Sequence, residues 1–291
     1  QLELAADDPR RMPVALLNPL SEDQGVMRTT LLPGLLANVR RNINFQTTAI
    51  KLFEIGKVFF PTGKGQPQEK TRLAGVLSGN RFDSSTSPLY FKEQAVDIHD
   101  VKGVVEFIIR SMRLPTADHA DAISFRIPHE EEREPFVQPG YALDMLCGET
   151  RVGSLGMIKQ EVLRNYSIKN DVFYFDLDYD ALCGVKNKAK IFAPLPVYPA
   201  VRRDISLVVR KEVAGGTLLA AVKGHQDKLI EDVEIFDTFT GTKIPQGYKS
   251  VSLRITYRSL TKTLTEKGVE KSHTRVVRML TDQFGGSFRN E

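Results

Sequence analysis

Eight consecutive residues near the end of this chain, Val251 to Arg258, alternate between apolar and polar side chains without a fault. Val, Leu, Ile and Tyr occupy one set of alternate positions, and Ser, Arg, Thr and Arg occupy the other. Successive side chains of a β-strand point to opposite faces of its sheet, so this period predicts a strand buried on one face only. A fold that contains such a strand places a core against one side of the sheet and leaves the other side polar.

The segments around this strand predict a small α+β domain with one sheet and two helices. The predicted strands are 203–209, 233–239, 250–258 and 286–290, and the predicted helices are 217–230 and 267–284. Their order is βαββαβ, which is the order of the ferredoxin-like fold. Both helices carry an apolar stripe, so we expect them to pack on one face of the sheet and to leave the other face open.

The first strand of this domain follows Tyr198-Pro199, a pair that favours an extended entry. Period-two alternation in the strand separates Arg203, which joins the apolar positions, from Arg202, Asp204, Ser206 and Arg210 on the opposite face. Asp204 beside two arginines fits an RNA contact, but it also fits a local ion pair.

The other strands add an aromatic ring and two arginines to the open face. Phe236 lies opposite Val233 and Ile235, so it is expected beside Arg254 and Arg258 unless a bulge turns it into the core. RNA-recognition modules use such a face, because guanidinium and ring planes stack on unpaired bases and basic groups meet phosphates. The same pattern also fits a solvated sheet or a sheet covered by another subunit.

The first 190 residues predict a second α+β domain, made of antiparallel strands with helices to one side. Residues 1–12 are expected to form a tail and residues 13–17 a short strand. Further elements are expected at these positions: a helix from Thr29 or Thr30 to Ile43, paired strands at 50–60 and 73–78, a helix from Asp97 that ends before Pro115, a hairpin of 141–147 and 151–158, a short helix at Val162 and Leu163, and an alternating strand at 172–182. Residues 189–194 lie in a lysine-rich stretch without periodicity and are expected to form a linker.

Composition and charge exclude several classes of protein. Hydrophobic residues make up 41% of the 291 positions, and the apolar runs are shorter than the roughly 20 residues that span a bilayer. The chain begins with Gln1 and shows no signal peptide, so we interpret it as a piece of a longer cytoplasmic protein. Cys147 and Cys183 form no CxxC pair, and the five histidines lack metal-ligand spacing, which argues against a zinc site.

The net charge of +4 is unevenly distributed. Residues 190–291 carry 17 Lys and Arg against 11 Asp and Glu, a net charge of +6, whereas residues 1–189 carry 23 against 25. A basic excess in the last third permits a phosphate-bearing partner without requiring one.

No stretch of the first domain indicates catalysis. Glu54, Asp176 and Asp178 are the candidate acids of this domain, but single carboxylates on strands are usually structural. Gly153-Ser154-Leu155-Gly156 lacks the Lys-Ser/Thr of a P-loop and the glycine spacing of a dinucleotide site.

The sequence resembles a known family over almost its whole length and in the family's order. Two runs, Asn18-Pro19-Leu20-Ser21 with Met27 to Leu36, and Leu52 to Phe59, resemble the core of the bacterial phenylalanyl-tRNA synthetase β subunit. The second part resembles that subunit's C-terminal ferredoxin-fold anticodon-binding domain through the following residues: Tyr198-Pro199-Ala200, Arg202-Arg203-Asp204, Phe236-Asp237, Lys249-Ser250, Thr263-Leu264-Thr265 and Gly285 to Arg289.

The resemblance implies that residues 1–188 form an inactive module like the class II synthetase catalytic domain, incomplete at its N-terminus. Such a module packs against the catalytic α subunit in an assembly of two α and two β chains. Class II sites hold the ATP α-phosphate with an arginine in Phe-Arg-x-Glu, whereas this chain has Phe53-Glu54-Ile55-Gly56. The resemblance therefore implies no catalytic or metal-binding residue here, while the whole enzyme uses ATP and Mg²⁺.

The resemblance also implies that residues 195–291 bind the anticodon stem-loop of phenylalanine tRNA. The resemblance implies these tRNA-binding residues: Arg202, Arg203, Asp204, Phe236 and Asp237. The periodicity of the strands adds Arg254 and Arg258. A protein-interaction module whose sheet docks another chain is the main alternative. An acylphosphatase-like enzyme is a third, but the segment from Arg210 to Gly216 shows no paired catalytic asparagine.

Overall fold

The structure is a computed structural model, and it describes residues 2–19, 21, 25–63, 65–82, 93–116, 122–186, 192, 194–241, 244–285 and 287–288. The chain divides into two compact units, Gln1–Lys190 and Ile191–Glu291. Most of the expected linker 189–194 lies outside the described residues.

The first unit is built on a six-stranded antiparallel sheet. After a 3₁₀ turn at Pro9–Arg11, its elements are α1 (Leu32–Asn44), β1 (Ala49–Phe60), β2 (Gln68–Gly79), α2 (Ile98–Ser111), β3 (Ile123–Arg126), β4 (Val137–Cys147), β5 (Thr150–Ile158), α3 (Gln160–Arg164), β6 (Val172–Asp178) and α4 (Tyr179–Gly184). The strands are hydrogen-bonded in the order β1-β2-β6-β5-β4-β3. The expected pairing of the first two strands is confirmed, with Phe53 opposite Gly75.

Helices cover both faces of this sheet, so the expectation of helices to one side is wrong, and the burial of both faces also explains why one strand was predicted incorrectly. One core cluster packs α1 and α3 on the sheet, and the other packs α2 and α4. The central strand β6 is therefore apolar on both faces, and four residues from Val172 to Phe175 are buried in succession. The strand expected at 172–182 ends at Asp178, whose side chain accepts a hydrogen bond from the Ala181 N–H at 2.9 Å and caps α4.

Two further expectations for this unit are wrong, and one strand was not expected. Residues 1–12 are not a tail, because Leu2 is buried in the core and Arg10 forms an ion pair with Glu134 at 2.8 Å. Residues 13–17 contribute only a single bridge, Ala15 to Val26. Strand β3, which pairs with the end of β4, was missed because its four residues are too few to show a period.

The second unit is an α+β domain in the expected order. It contains β7 (Val201–Arg210), α5 (Gly215–Gly224), β8 (Ile230–Phe239), β9 (Tyr248–Tyr257), α6 (Glu266–Phe284) and β10 (Ser287–Phe288). The sheet order is β10-β7-β9-β8, and both helices contribute to one core cluster. Helix α5 ends at Gly224 rather than at residue 230. The Asp227 carboxylate in the connection that follows accepts a hydrogen bond from the Leu229 N–H at 3.0 Å.

The faultless alternation of β9 corresponds to two different environments. Val251, Leu253, Ile255 and Tyr257 are buried in the core beneath the helices. The opposite side of β9 carries Ser252, Arg254 and Thr256, which face their counterparts on β7 in antiparallel register. The prediction of a half-buried strand is therefore confirmed.

Candidate nucleic-acid interface

The polar side of the second unit's sheet is the candidate site, and we call it the open face. Its central part consists of Arg202, Asp204 and Ser206 on β7 and of Ser252, Arg254 and Thr256 on β9. Directly opposite residues of an antiparallel pair share a face, so the register places Asp204 against Arg254 and Ser206 against Ser252. The Oγ atoms of this serine pair are 2.9 Å apart.

The Arg254 guanidinium is held by two hydrogen bonds to one carboxylate. Its Nε donates to Asp204 Oδ1 at 2.9 Å, and its Nη2 donates to Asp204 Oδ2 at 2.7 Å. These bonds lower the pKa of Asp204 and raise that of Arg254, because each charged form is stabilised by its partner. Asp204 is therefore in an ion pair, but its partner is Arg254 on the neighbouring strand and not one of the two adjacent arginines that the sequence suggested.

The Phe236 ring lies against the same guanidinium. The Arg254 Cζ atom is 4.7 Å from the ring centroid, which is within the range of a cation–π contact. Strand β8 has a bulge between Ile235, opposite Leu253, and Asp237, opposite Ser252. Phe236 is the extra residue of this bulge, and its ring nevertheless lies on the open face, as the alternation predicts, with 46% of the residue exposed.

Arg258 is paired in a similar way at the end of the open face. Its Nε donates to Glu231 Oε1 at 2.8 Å, and its Nη1 donates to the Tyr198 carbonyl oxygen, also at 2.8 Å. Sequence reasoning did not find Glu231 or Glu234, which lies directly opposite Arg254. Only the register between β8 and β9 brings these acidic residues to the arginines, and the sequence carries no signal for that register.

The structure separates the two neighbouring arginines of the sequence motif. Arg202 is exposed and lies opposite Thr256 on the open face, and it forms no ion pair with any residue in the described part of the chain. Arg203 lies opposite Ile255 on the helix side, and its Nη2 is 3.7 Å from Glu266 Oε1 at the start of α6. The other predicted site residues, Asp204, Phe236, Asp237 and Arg254, lie with Arg202, and Arg258 lies beyond the end of β9.

The basic excess of the last third is not concentrated on the open face. Helix α6 alone carries Lys267, Lys271, Arg275 and Arg278, and its apolar residues pack on the opposite side of the sheet. On the open face, Arg254 and Arg258 are neutralised by carboxylates, whereas Arg202 and Arg210 at the two ends of β7 are exposed and form no ion pair in the described part of the chain. Of these two, Arg202 lies nearer to the pair of Asp204 and Arg254, and it is the cation beside that pair best able to meet a phosphate.

The three candidate acids of the first unit are paired with arginines. Glu54 Oε1 accepts a hydrogen bond from Arg28 Nη1 at 2.5 Å, and Asp176 Oδ1 accepts one from Arg72 Nε at 2.8 Å. Burial raises the pKa of Asp176, and Asp178 lies 3.6 Å from the same arginine. Their partners and their positions on the sheet support the structural interpretation of these residues.

Within the described ranges, no group of three or more His, Cys, Asp or Glu side chains is arranged to hold a metal ion. The helices of the same ranges include none long and apolar enough to cross a bilayer.

Comparison with known proteins identifies both units. Residues 1–179 match the family described as the phenylalanyl tRNA synthetase beta chain CLM domain, and residues 196–289 match the ferredoxin-fold anticodon binding domain. The phenylalanine–tRNA ligase beta subunit of Desulfotalea psychrophila is 55% identical over 99% of this chain and 35% of its own length. That of Geobacter metallireducens is 36% identical over the same shares.

This chain thus spans about a third of the length of the curated relatives it matches. Among solved structures, a pyrrolysyl tRNA synthetase from Desulfitobacterium hafniense aligns with 57% of this chain and 51% of its own at 14% identity. Its TM-score of 0.38 is too low to support an argument about the fold. The first family match covers well over half of the chain, and on that ground the chain belongs to the family of phenylalanyl-tRNA synthetase β chains.

Proposed function

We propose that this chain is the non-catalytic, tRNA-binding and subunit-contacting portion of a phenylalanyl-tRNA synthetase, which ligates phenylalanine to its tRNA at the expense of ATP. Residues 195–291 bind the anticodon stem-loop, residues 1–188 form the catalytic-like module, and residues 189–194 link them. The observation that carries this proposal is the match of residues 196–289 to an anticodon-binding family, combined with an open sheet face that presents arginines beside an aromatic ring.

The tRNA contact lies on the open face. Arg202 meets phosphate, Phe236 and Arg254 offer flat surfaces to unpaired bases, and Asp237 and Arg258 border the contact. Arg203 is left out of this surface because its side chain lies on the helix side of the sheet.

The catalytic-like module does not bind ATP for adenylate formation. The residue in the position of the phosphate-binding arginine is Glu54, whose carboxylate repels a triphosphate and is already paired with Arg28. The residues present at this position therefore do not fit the nucleotide. ATP and Mg²⁺ act in the whole enzyme on the α subunit, in an assembly of two α and two β chains in the cytoplasm. Pyrophosphate exchange into ATP by this chain alone would refute this part of the proposal.

Exposed apolar side chains support a protein contact on the first unit. Phe53 and Phe107 are 73% and 63% exposed, and they line a groove of about 340 Å³ between β1 and α2. The leucines of α1, in contrast, are buried in the core. We place the α-subunit contact at this groove, because contiguous exposed apolar surface of this kind marks interaction sites.

Affinity capture with the α subunit tests this placement. We expect Phe53→Ser with Phe107→Ser to reduce capture at least tenfold, whereas Phe45→Ser, at a residue that is 75% exposed but does not line the groove, leaves capture unchanged. Equal capture of all three proteins would exclude the groove as the contact.

Titration of this chain with phenylalanine tRNA tests the RNA-binding part. We expect binding that weakens steeply with salt, and a marked loss of affinity when Arg202, Arg254 and Arg258 are all replaced by Ala. If the chain does not bind tRNA and the α subunit is captured only when residues 195–291 are present, the open face docks protein instead.

A further inference from the structure

Three side chains from three neighbouring strands meet on the open face. Asp204 on β7 accepts two hydrogen bonds from Arg254 on β9, at 2.9 and 2.7 Å. The Cζ atom of this arginine lies 4.7 Å from the ring centroid of Phe236 on β8. Asp204 and Arg254 retain side-chain exposures of 45% and 34%, and Phe236 is 46% exposed. A bound molecule can therefore reach this group of three.

The two hydrogen bonds limit what Arg254 does on its own. When Nε and Nη2 of a guanidinium both donate to one carboxylate, the carboxylate compensates the positive charge. The two parallel hydrogen bonds also fix the orientation of the guanidinium plane. A phosphate would have to displace Asp204 before Arg254 acted as a free cation. Stacking does not require that displacement, because a planar base needs only a flat surface beside it.

We infer that Asp204 is a positioning residue, which holds Arg254 against Phe236 so that the two together form a stacking platform for one unpaired base of the bound RNA. The phosphate contact beside this platform falls to Arg202, which lies two residues from Asp204 on β7 and forms no ion pair among the described residues. This inference rests on the proposed RNA-binding function and assigns different roles to two arginines: Arg254 stacks on a base, and Arg202 binds a phosphate.

The chain supplies its own control in the pair formed by Arg258 and Glu231. Its Nε to Oε1 distance of 2.8 Å is close to that of the first pair. In the described part of the chain, Arg258 makes no ring contact, whereas Arg254 lies over the Phe236 ring. Removing the carboxylate partner of Arg258 therefore leaves an uncompensated positive charge on the open face without altering a stacking surface.

The experiment measures the affinity of the full 291-residue chain for the anticodon stem-loop of phenylalanine tRNA at several salt concentrations. The same RNA is also made with each loop nucleotide in turn lacking its base. For the unchanged protein, we expect removal of one particular base to weaken binding about tenfold. The variants Phe236→Ala and Arg254→Ala should bind the intact RNA more weakly by a similar factor. Removal of that base from the RNA should not weaken their binding further.

Salt dependence separates the roles of the charges. Arg202→Ala is expected to reduce the slope of log K against log salt by about 0.7 to 0.9, because one phosphate contact is lost, whereas Arg254→Ala leaves it unchanged. Arg254→Lys keeps the positive charge but lacks the planar guanidinium. We therefore expect its affinity, like that of Arg254→Ala, to be insensitive to removal of the base. Asp204→Asn also loses this response, and it steepens the slope because it frees a cation.

Glu231→Gln is the matched control for Asp204→Asn. It frees a cation and steepens the slope in the same way, but the response to base removal stays as in the unchanged protein. Thermal unfolding followed by circular dichroism shows for each variant whether the fold is retained, and Arg254→Lys and Asp204→Asn test the platform independently of each other.

Two outcomes overturn the inference. One is an unchanged response to base removal in both Arg254→Lys and Asp204→Asn, and the other is a slope that falls as much for Arg254→Ala as for Arg202→Ala. Either result leaves the proposed RNA binding intact. Absence of salt-dependent binding by the unchanged chain is a different result, since it removes the proposed function and the inference with it.

Discussion

At the residue scale, charged side chains in this chain act mainly through specific partners. Asp227 is the clearest case in the second unit, because its side chain is only 7% exposed. It accepts hydrogen bonds from the Ser272 hydroxyl at 2.5 Å, from the Leu229 N–H at 3.0 Å and from Arg275 Nη2 at 3.0 Å. The carboxylate thereby joins the loop after α5 to the buried side of α6.

This arrangement gives a prediction about pH. Burial alone would raise the pKa of Asp227, but the bonds from Ser272 and Leu229 and the charge of Arg275 lower it below its ordinary value. A lowered pKa in the folded state means stability that is present above about pH 4 and is lost as the pH falls through the folded-state pKa. We expect Asp227→Asn to reduce the free energy of unfolding at pH 7 by about 1–3 kcal/mol, and this difference to shrink at pH 3.

Urea unfolding of the unchanged protein and the variant at both pH values measures this difference. Asp282→Asn is the control, because Asp282 is 71% exposed and 3.7 Å from Arg278, and such surface pairs contribute little. If Asp227→Asn destabilised the protein more at pH 3 than at pH 7, the lowered pKa of Asp227 in the folded state would be contradicted.

At the scale of elements, strands of the first unit approach one another too closely for side chains at certain positions. A Cβ atom on Gly156 of β5 would meet the Tyr141 carbonyl oxygen of β4 and would lie 2.9 Å from Val137 Cγ1. These neighbours are a backbone atom and a buried side chain, so neither moves freely. The glycine is required by the close approach of the two strands.

The same substitution is therefore expected to have opposite effects in a strand and in a helix. Gly156→Ala should lower the free energy of unfolding by about 1–3 kcal/mol through overpacking. Gly103→Ala in α2, where no atom lies within 4 Å of the added Cβ, should raise it by up to about 1 kcal/mol through helix propensity. Denaturant midpoints of the two variants measure both changes, and a stabilising effect of Gly156→Ala would show that β4 and β5 lie farther apart.

At the scale of the whole molecule, each compact unit has hydrophobic clusters of its own. Two clusters belong to the first unit, and one cluster, centred on Leu253, belongs to the second. A unit that buries its own apolar surface has the main requirement for independent folding. We therefore expect residues 195–291 to fold when they are expressed alone.

Thermal unfolding of the isolated 195–291 segment checks this expectation. It should show one cooperative transition, and Leu253→Ala should lower its stability by about 2–5 kcal/mol because the leucine is fully buried. Leu260→Ala, at a residue that is 79% exposed, should leave the transition unchanged. A segment without a cooperative transition would mean that the second unit depends on the rest of the chain.

Much of the second unit was predictable because its strands are buried on one face. The alternation of β9 and the stripe of α6 record that burial directly, and the family motifs agreed with them. The first unit was less predictable, since β6 is buried on both faces and its apolar run has no period. The four residues of β3 and the ion pair of Arg10 left no local signal.

The sequence by itself determined the order of elements in the second unit, the division into two units and the set of arginines beside Phe236, because these follow from local periodicity and motif. Tertiary structure alone decided which arginines are free. Asp204 and Glu231 reach Arg254 and Arg258 only through the register of β7 and β8 on β9, and a bulge in β8 brings Asp237 opposite Ser252 on the open face. Electrostatic compensation acts over a few ångströms between residues far apart in the chain, so the charge that stays uncompensated on the open face is a property of the folded sheet.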